Sequence, residues 1–314
     1  MLIFTNGDCA AAALRAAGIP GRIVAWRDLL HDGPVPAGLE LAALSTVRAR
    51  FIAGCGWGEP AQVAADFEAR DRQLEAAPAH DEVALVFEHD LYDQLQLLQL
   101  LAELAARPVT RLRLLCDAIF VGSEEPPALA RRFAARRPVG DAELALARRA
   151  WYAFRQPTPT ALAALLAEDL RPLPFLRSAL RRLLEEYPSP RDGLGRSERQ
   201  VLVAAADGGR RPRELFRLAG AMEEAPYLGD LPFRRLLEGL CAGPEPLLRP
   251  TGGAFRAPPG DDAPPLVLTA AGRRVLAGRA DAVAGRGIDR WLGGVHLVPG
   301  HLWRWDGESL HGPS

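Results

Sequence analysis

Four short apolar runs, each ending in polar residues and followed by a helical pattern, constrain this chain more than any other feature. Residues 2–5, 22–26, 82–87 and 111–116 have the length and composition of buried strands. Between them, residues 9–17 form an alanine-rich helical pattern closed by Gly18, and 39–53 and 61–76 read as two more helices. Residues 91–105 place Leu91, Leu95, Leu98 and Leu101 on one face of an amphipathic helix. Strands that alternate with helices are joined by crossovers, and crossovers produce a parallel sheet covered on both faces. The expected class is therefore α/β, with a Rossmann-like parallel-sheet domain over residues 1–137.

In an open parallel sheet the ligand crevice lies outside the carboxyl ends of the strands. Here those ends carry Asn6, Gly7 and Asp8, then Asp28, then Glu88, His89 and Asp90, then Asp117. The NGD turn leads into a helix whose first N–H groups lack intrahelical acceptors. Asn6, Gly7 and Asp8 are thus candidates for holding a small anionic ligand, a phosphate or a carboxylate. Asp8 serves equally well as the N-cap of that helix, and Asp90 as the N-cap of the Leu91 helix with Asp93 in its first turn. The densest polar cluster runs from Glu88 through His89 and Asp90 to Asp93 and Gln94. A histidine flanked by carboxylates suits general acid–base work. Glu88, His89, Asp90 and Asp28 are the candidate catalytic residues, with Asp93 and Gln94 as candidate ligand contacts. The same carboxylates, with His31, offer donors for a divalent metal, although no HxH or HExxH spacing specifies one.

Composition acts mainly by exclusion. All 38 basic residues are arginine. Without lysine there is no pyridoxal-phosphate Schiff base and no P-loop nucleotide site. The first strand is followed by NGDCAAA rather than a GxGxxG run, so dinucleotide binding of that kind is unsupported. Asn6 is the only asparagine, which singles it out at a strand end. A net charge of -1 removes the argument for a protein that coats nucleic acid or an anionic membrane. Cys9, Cys55, Cys116 and Cys241 form no CxxC pair and read as reduced thiols. With no long apolar run and no basic leader, the expectation is a cytoplasmic protein with no membrane partner.

After Pro138 the alternation stops. Residues 138–190 read as a helical connector, with helices at 141–154, 160–170 and 175–186, and the prolines and glycines of 187–196 mark a linker. Over 191–284, helical patterns at 197–207, 212–220 and 231–240 precede LVLTAAGRRVLAG. Three helices followed by a hairpin strand is the order of a winged-helix-like domain, a module that binds DNA or a protein partner. Arg234 and Arg235 are the candidate DNA contacts, a thin basic face beside Phe233, Leu236, Leu237 and Leu240. The tail, 285–314, joins Trp291, Trp303 and Trp305 to Asp289, Arg290 and His296. Those last three are candidate ligand residues, because aromatic-plus-arginine groups suit flat or phosphorylated ligands. The alternative is a hairpin turning at Pro299 and Gly300 whose tryptophans pack onto the body.

Four separated motifs occur in order: NGD at Asn6, WRDLLHDGPVP from Trp26, FEHDLYDQLQLLQLL from Phe87, and GIDRWLGGVHL with WRWD near the end. Together they resemble the bacterial "domain of unknown function 1835" proteins over nearly the whole chain. The resemblance implies that these segments act as a unit, which favours a composite site built from both ends of the protein, and it names no substrate. The residues point to an enzyme, a hydrolase or transferase acting on a phosphorylated or nucleotide-like ligand at the strand ends. The other reading is a regulator whose α/β domain senses a small ligand and whose winged helix binds DNA or a protein partner.

Overall fold

The structure is a computed structural model that describes residues 1–252, 255 and 263–313. The chain divides into two compact units. One comprises Met1–Leu180 with Gly293–Val295, the other Arg181–Leu292 with His296–Ser314.

In the first unit, β1 (Leu2–Thr5), α1 (Asp8–Ala16) and β2 (Arg22–Ala25) open the chain, followed by the two-residue β3 (Gly33–Pro34) and helices α2 (Leu41–Gly54) and α3 (Pro60–Glu75). Then come β4 (Val83–Phe87), α4 (Leu91–Leu104), β5 (Leu112–Cys116), α5 (Pro126–Ala134), β6 (Arg137–Pro138), α6 (Asp141–Phe154) and α7 (Thr160–Ala164). The sheet order is β2-β1-β4-β5-β6. The first four strands are parallel, and β6 is antiparallel to β5. The α/β expectation therefore holds, with one addition. The antiparallel edge β6 is two residues long and contains a proline, which fits only at an edge, and so short a strand carries no periodic signal.

One face of the sheet packs Ile3, Ala84, Val86 and Leu115 against Ala10 and Leu14 of α1 and Leu129 and Phe133 of α5. On the other face Phe4 meets Trp26 edge-on, with ring centroids 5.8 Å apart. The Trp26 indole N–H donates to Gln99 of α4 at 2.8 Å. The leucine spacing of α4 predicts an amphipathic helix, yet Gln94, Gln96 and Gln99 are buried as deeply as its leucines. Their amides are accommodated because Gln94 donates to the Glu88 carbonyl, Gln96 donates to the Asp28 carbonyl and Gln99 accepts from Trp26. The segment Gly293–Val295 belongs to this unit through backbone bonds: Val35 N–H donates to the Gly293 carbonyl at 2.8 Å, and Gly294 N–H to the Phe154 carbonyl at 3.0 Å.

The division between units falls inside α8 (Leu176–Leu184). The second unit contains α9 (Arg196–Ala204), α10 (Pro212–Gly220), α11 (Asp230–Cys241), the antiparallel pair β7 (Leu248–Pro250) and β8 (Leu266–Leu268), α12 (Ala270–Leu276) and α13 (Ala282–Arg286). Its core gathers Val201, Leu202, Leu215, Phe233, Leu237, Leu240, Leu248, Leu266 and Val275. Arg210 forms an isolated antiparallel bridge with Leu266, ahead of α10. The tail adds β9 (Arg290–Gly293), β10 (Val295–Leu297) and the antiparallel pair β11 (Arg304–Trp305) and β12 (Leu310–His311). Its chain turns at Pro299 and Gly300, closed by the Val298–His301 bridge, and Trp305 is buried. Among the described residues no helix is long and apolar enough to cross a membrane.

Candidate functional site

Strand order locates the crevice. From β1 the chain moves to β2 on one side and later returns to place β4 on the other. The topological switch point therefore lies between the carboxyl ends of β1 and β4, where adjacent connections leave in opposite directions. Asn6 follows β1 and Glu88 follows β4, so these two residues flank the crevice.

The two strand ends are tied together by α4. The Asn6 side-chain amide donates to Asp93 Oδ2 at 2.8 Å, and the backbone N–H of Glu88 donates to Asp93 Oδ1 at 2.6 Å. The Tyr92 hydroxyl donates to the Asn6 carbonyl at 2.9 Å. Asp90 is the N-cap of α4, accepting from Asp93 N–H at 3.2 Å. Glu88 accepts from the Val121 N–H at 2.7 Å, and Gln94 holds the Glu88 carbonyl at 2.7 Å.

Glu88, Asp90 and Asp93 thereby form a buried triad in which one carboxylate oxygen from each lies within 4.8 Å of the other two. Burial removes water from all three, and each resists ionising beside the others. Desolvation, set against the bonds from Val121 and Asn6, raises Glu88 above its ordinary range. Desolvation and the neighbouring Glu88 push Asp90 up to about 7. Asp93 rises well above the usual carboxylate range, through desolvation and the charges of Asp90 and Glu88. Three hard oxygen donors at this spacing suit Mg2+, Mn2+ or Ca2+ rather than a soft metal.

His89 stands apart from the acids. The strand has ended at Phe87, so Glu88 and Asp90 converge while the His89 ring packs against Phe120 at 5.4 Å and Phe175 at 5.8 Å. Desolvation lowers its imidazole below the usual value, favouring the neutral ring. Asp28, expected among the catalytic groups, is wholly buried and committed to Arg48 at 3.0 Å and Arg70 at 3.3 Å. Arg48 also donates to the carbonyls of Leu29, Asp32 and Pro34, so the group organises the loop after β2. His31 is buried with its ring 6.0 Å from Tyr92.

At the NGD turn the N-cap of α1 is Gly7, in extended conformation and without a side-chain cap. Asp8 is the first helical residue, where its charge suits the positive helix end. It does not cap the helix but forms an exposed ion pair with Arg27 at 2.7 Å. Arg27 is the residue that sequence reading passed over. It has a φ of +43°, a left-handed conformation that costs a side-chain-bearing residue about 1 kcal/mol. Its N–H reaches the Asn6 carbonyl at 3.3 Å. Nothing in an apolar strand followed by Arg-Asp signals a left-handed turn.

In the second unit, Arg290 donates to the buried Glu186 at 2.7 Å, and His296 stacks on Trp291 at 4.3 Å while pairing with Asp289 at 2.7 Å. On α11, Arg235 is exposed and Arg234 half-buried. Comparison with known proteins finds no family that matches the chain and no curated protein that does.

Proposed function

We propose that the first unit is an enzyme domain, a hydrolase or transferase, that takes a phosphorylated or nucleotide-like ligand at the β1/β4 switch point with the help of a divalent cation. The observation that carries this reading is the buried triad of Glu88, Asp90 and Asp93 at the strand ends, beside Asn6. Three carboxyl groups kept out of water are costly as isolated charges, and natural cores retain such groups mainly when paired or bound to a metal. Glu88, Asp90 and Asp93 would hold the cation, which when bound neutralises the triad and polarises a phosphoryl oxygen. The first-turn amides of α1, which Gly7 leaves without a side-chain acceptor, suit the anionic part of the ligand. The neutral ring of His89, one residue from two of the acids, is suited to accept a proton.

The test is thermal unfolding of the full chain at pH 7.5 with Mg2+, Mn2+ or Ca2+, alone and with ADP or inorganic phosphate. Saturable stabilisation is expected, about 2.7 kcal/mol at one hundred times the dissociation constant. It should vanish in Asp90→Asn. No response to any cation, with or without phosphate, refutes the reading.

A second reading concerns the other unit. The bridge between Arg210 and Leu266 adds a third strand position beside β7 and β8, ahead of α10 and α11, which favours a winged-helix arrangement with α11 as recognition helix. A DNA affinity that falls with salt and is weakened by Arg234→Ala with Arg235→Ala supports it, and salt-independent or absent binding rejects it.

A further inference from the structure

The second unit contains a cleft of its own, independent of the strand-end site. It has a volume of about 150 Å³ and lies where α9, α10 and α11 meet the turn between α10 and α11. Its walls include Phe216, Ala219, Gly220, Leu228 and Phe233, with Arg217 also on its lining. Phe216 and Phe233 stand edge to face, with centroids 5.1 Å apart.

The polar groups of the cleft are unequal. The Ser197 hydroxyl donates to the buried Glu186 at 2.6 Å, and Glu223 is paired with Arg182 at 2.7 Å. Both are already used. Arg217 is exposed, and among the described residues it forms no ion pair. The cleft thus combines apolar walls with one uncommitted guanidinium.

We propose that this cleft binds a small aromatic carboxylate, its ring against the apolar lining that includes Phe216, Leu228 and Phe233 and its carboxylate on Arg217. A cavity near 150 Å³ lined by apolar side chains is known to take one benzene-sized ring. Aromatic walls favour an offset or edge-on ring, and a guanidinium binds a carboxylate through two parallel hydrogen bonds. A neutral apolar molecule would leave Arg217 unused, and a phosphate would leave the aromatic walls unused.

The experiment is a titration of the full chain with benzoate, with toluene as the neutral counterpart, followed by calorimetry and ligand-observed NMR. Benzoate is expected to bind saturably. Arg217→Gln should weaken benzoate at least about tenfold, the loss expected for a charged hydrogen bond, and leave toluene unchanged. Gly220→Leu should abolish both. Gly220 is on the cleft lining and a Cβ there meets nothing within 4 Å, so the added side chain starts in open space, and an unchanged melting temperature verifies the variant's fold. Absence of saturable benzoate binding overturns the proposal. So does benzoate binding that is unaffected by Arg217→Gln or by Gly220→Leu.

Discussion

The side-chain amide of Asn6 donates to the carboxylate of Asp93 at 2.8 Å, across 87 positions of sequence. This bond joins the end of β1 to the first turn of α4 at the switch point of the sheet. It also presents the chain's only asparagine with one of three mutually close carboxyl groups. Replacing Asn6 by Ala removes a donor from a buried acceptor and is expected to destabilise the first unit by about 1–3 kcal/mol at pH 7.5. Asn6→Asp should cost more, because it adds a fourth acid to the cluster. Urea unfolding followed by near-ultraviolet circular dichroism measures both, and equal stability of Asn6→Asp and the parent chain would contradict the account.

The first unit should lose stability as pH rises. Glu88, Asp90 and Asp93 are all raised by desolvation, so between the ordinary carboxylate range and about 7 the folded state holds more protons than the unfolded one. Stability falls with pH wherever the folded state binds the excess. It is fully present below about pH 4 and is lost through pH 7. Unfolding midpoints at pH 5 and pH 8 without added metal test this, and saturating Mg2+ is expected to flatten the slope.

Asp90→Asn separates charge from structure. Asparagine is as good an N-cap as aspartate, so α4 keeps its cap while the triad loses a charge. The variant is expected to be as stable as the parent or more so at pH 8, yet to show no cation response. Retention of a full cation-induced rise in melting temperature would remove Asp90 from the site.

Asp28→Asn should behave in the opposite way. It leaves Arg48 and Arg70 buried without their shared carboxylate. Breaking a buried pair from one side costs about 3–5 kcal/mol, and no divalent cation should restore it. Comparable stability to the parent chain would mean that the arginines find other acceptors.

The second unit should fail on the acid side. Glu186 is buried, and although burial alone would raise it, Arg182 and Arg290 hold it below the ordinary carboxylate range. A depressed carboxylate contributes stability that is present above its unfolded value near 4.3 and is lost as pH falls through its folded value. Acid titration of far-ultraviolet circular dichroism, compared with Glu186→Gln, tests this. The variant should be less stable at pH 7 and lose the acid-side slope.

The sequence by itself determined the four parallel strands of the first unit, most of the helices and the convergence of polar residues at the carboxyl ends of β1 and β4. These are local matters, since apolar runs of strand length and helical spacing follow from side-chain periodicity. Asn6, Glu88, Asp90 and Asp93 were legible for the same reason, because strand ends and first helical turns can be counted along the chain. Which of those residues meet was not. Asp28 and Glu88 occupy equivalent strand ends, yet Asp28 is taken by arginines from α2 and α3, while Glu88 gathers with two acids from its own strand-to-helix junction. The leucine spacing of α4 marks one apolar face, yet Gln96 and Gln99 are buried as well, held by single hydrogen bonds to the Asp28 carbonyl and the Trp26 indole that the spacing does not encode. Arg27 adopts its left-handed turn between β2 and the loop that follows, with its N–H near the Asn6 carbonyl and its side chain on Asp8. Pairings of this kind depend on contacts between distant segments, and those exist only once the sheet has brought its strands side by side.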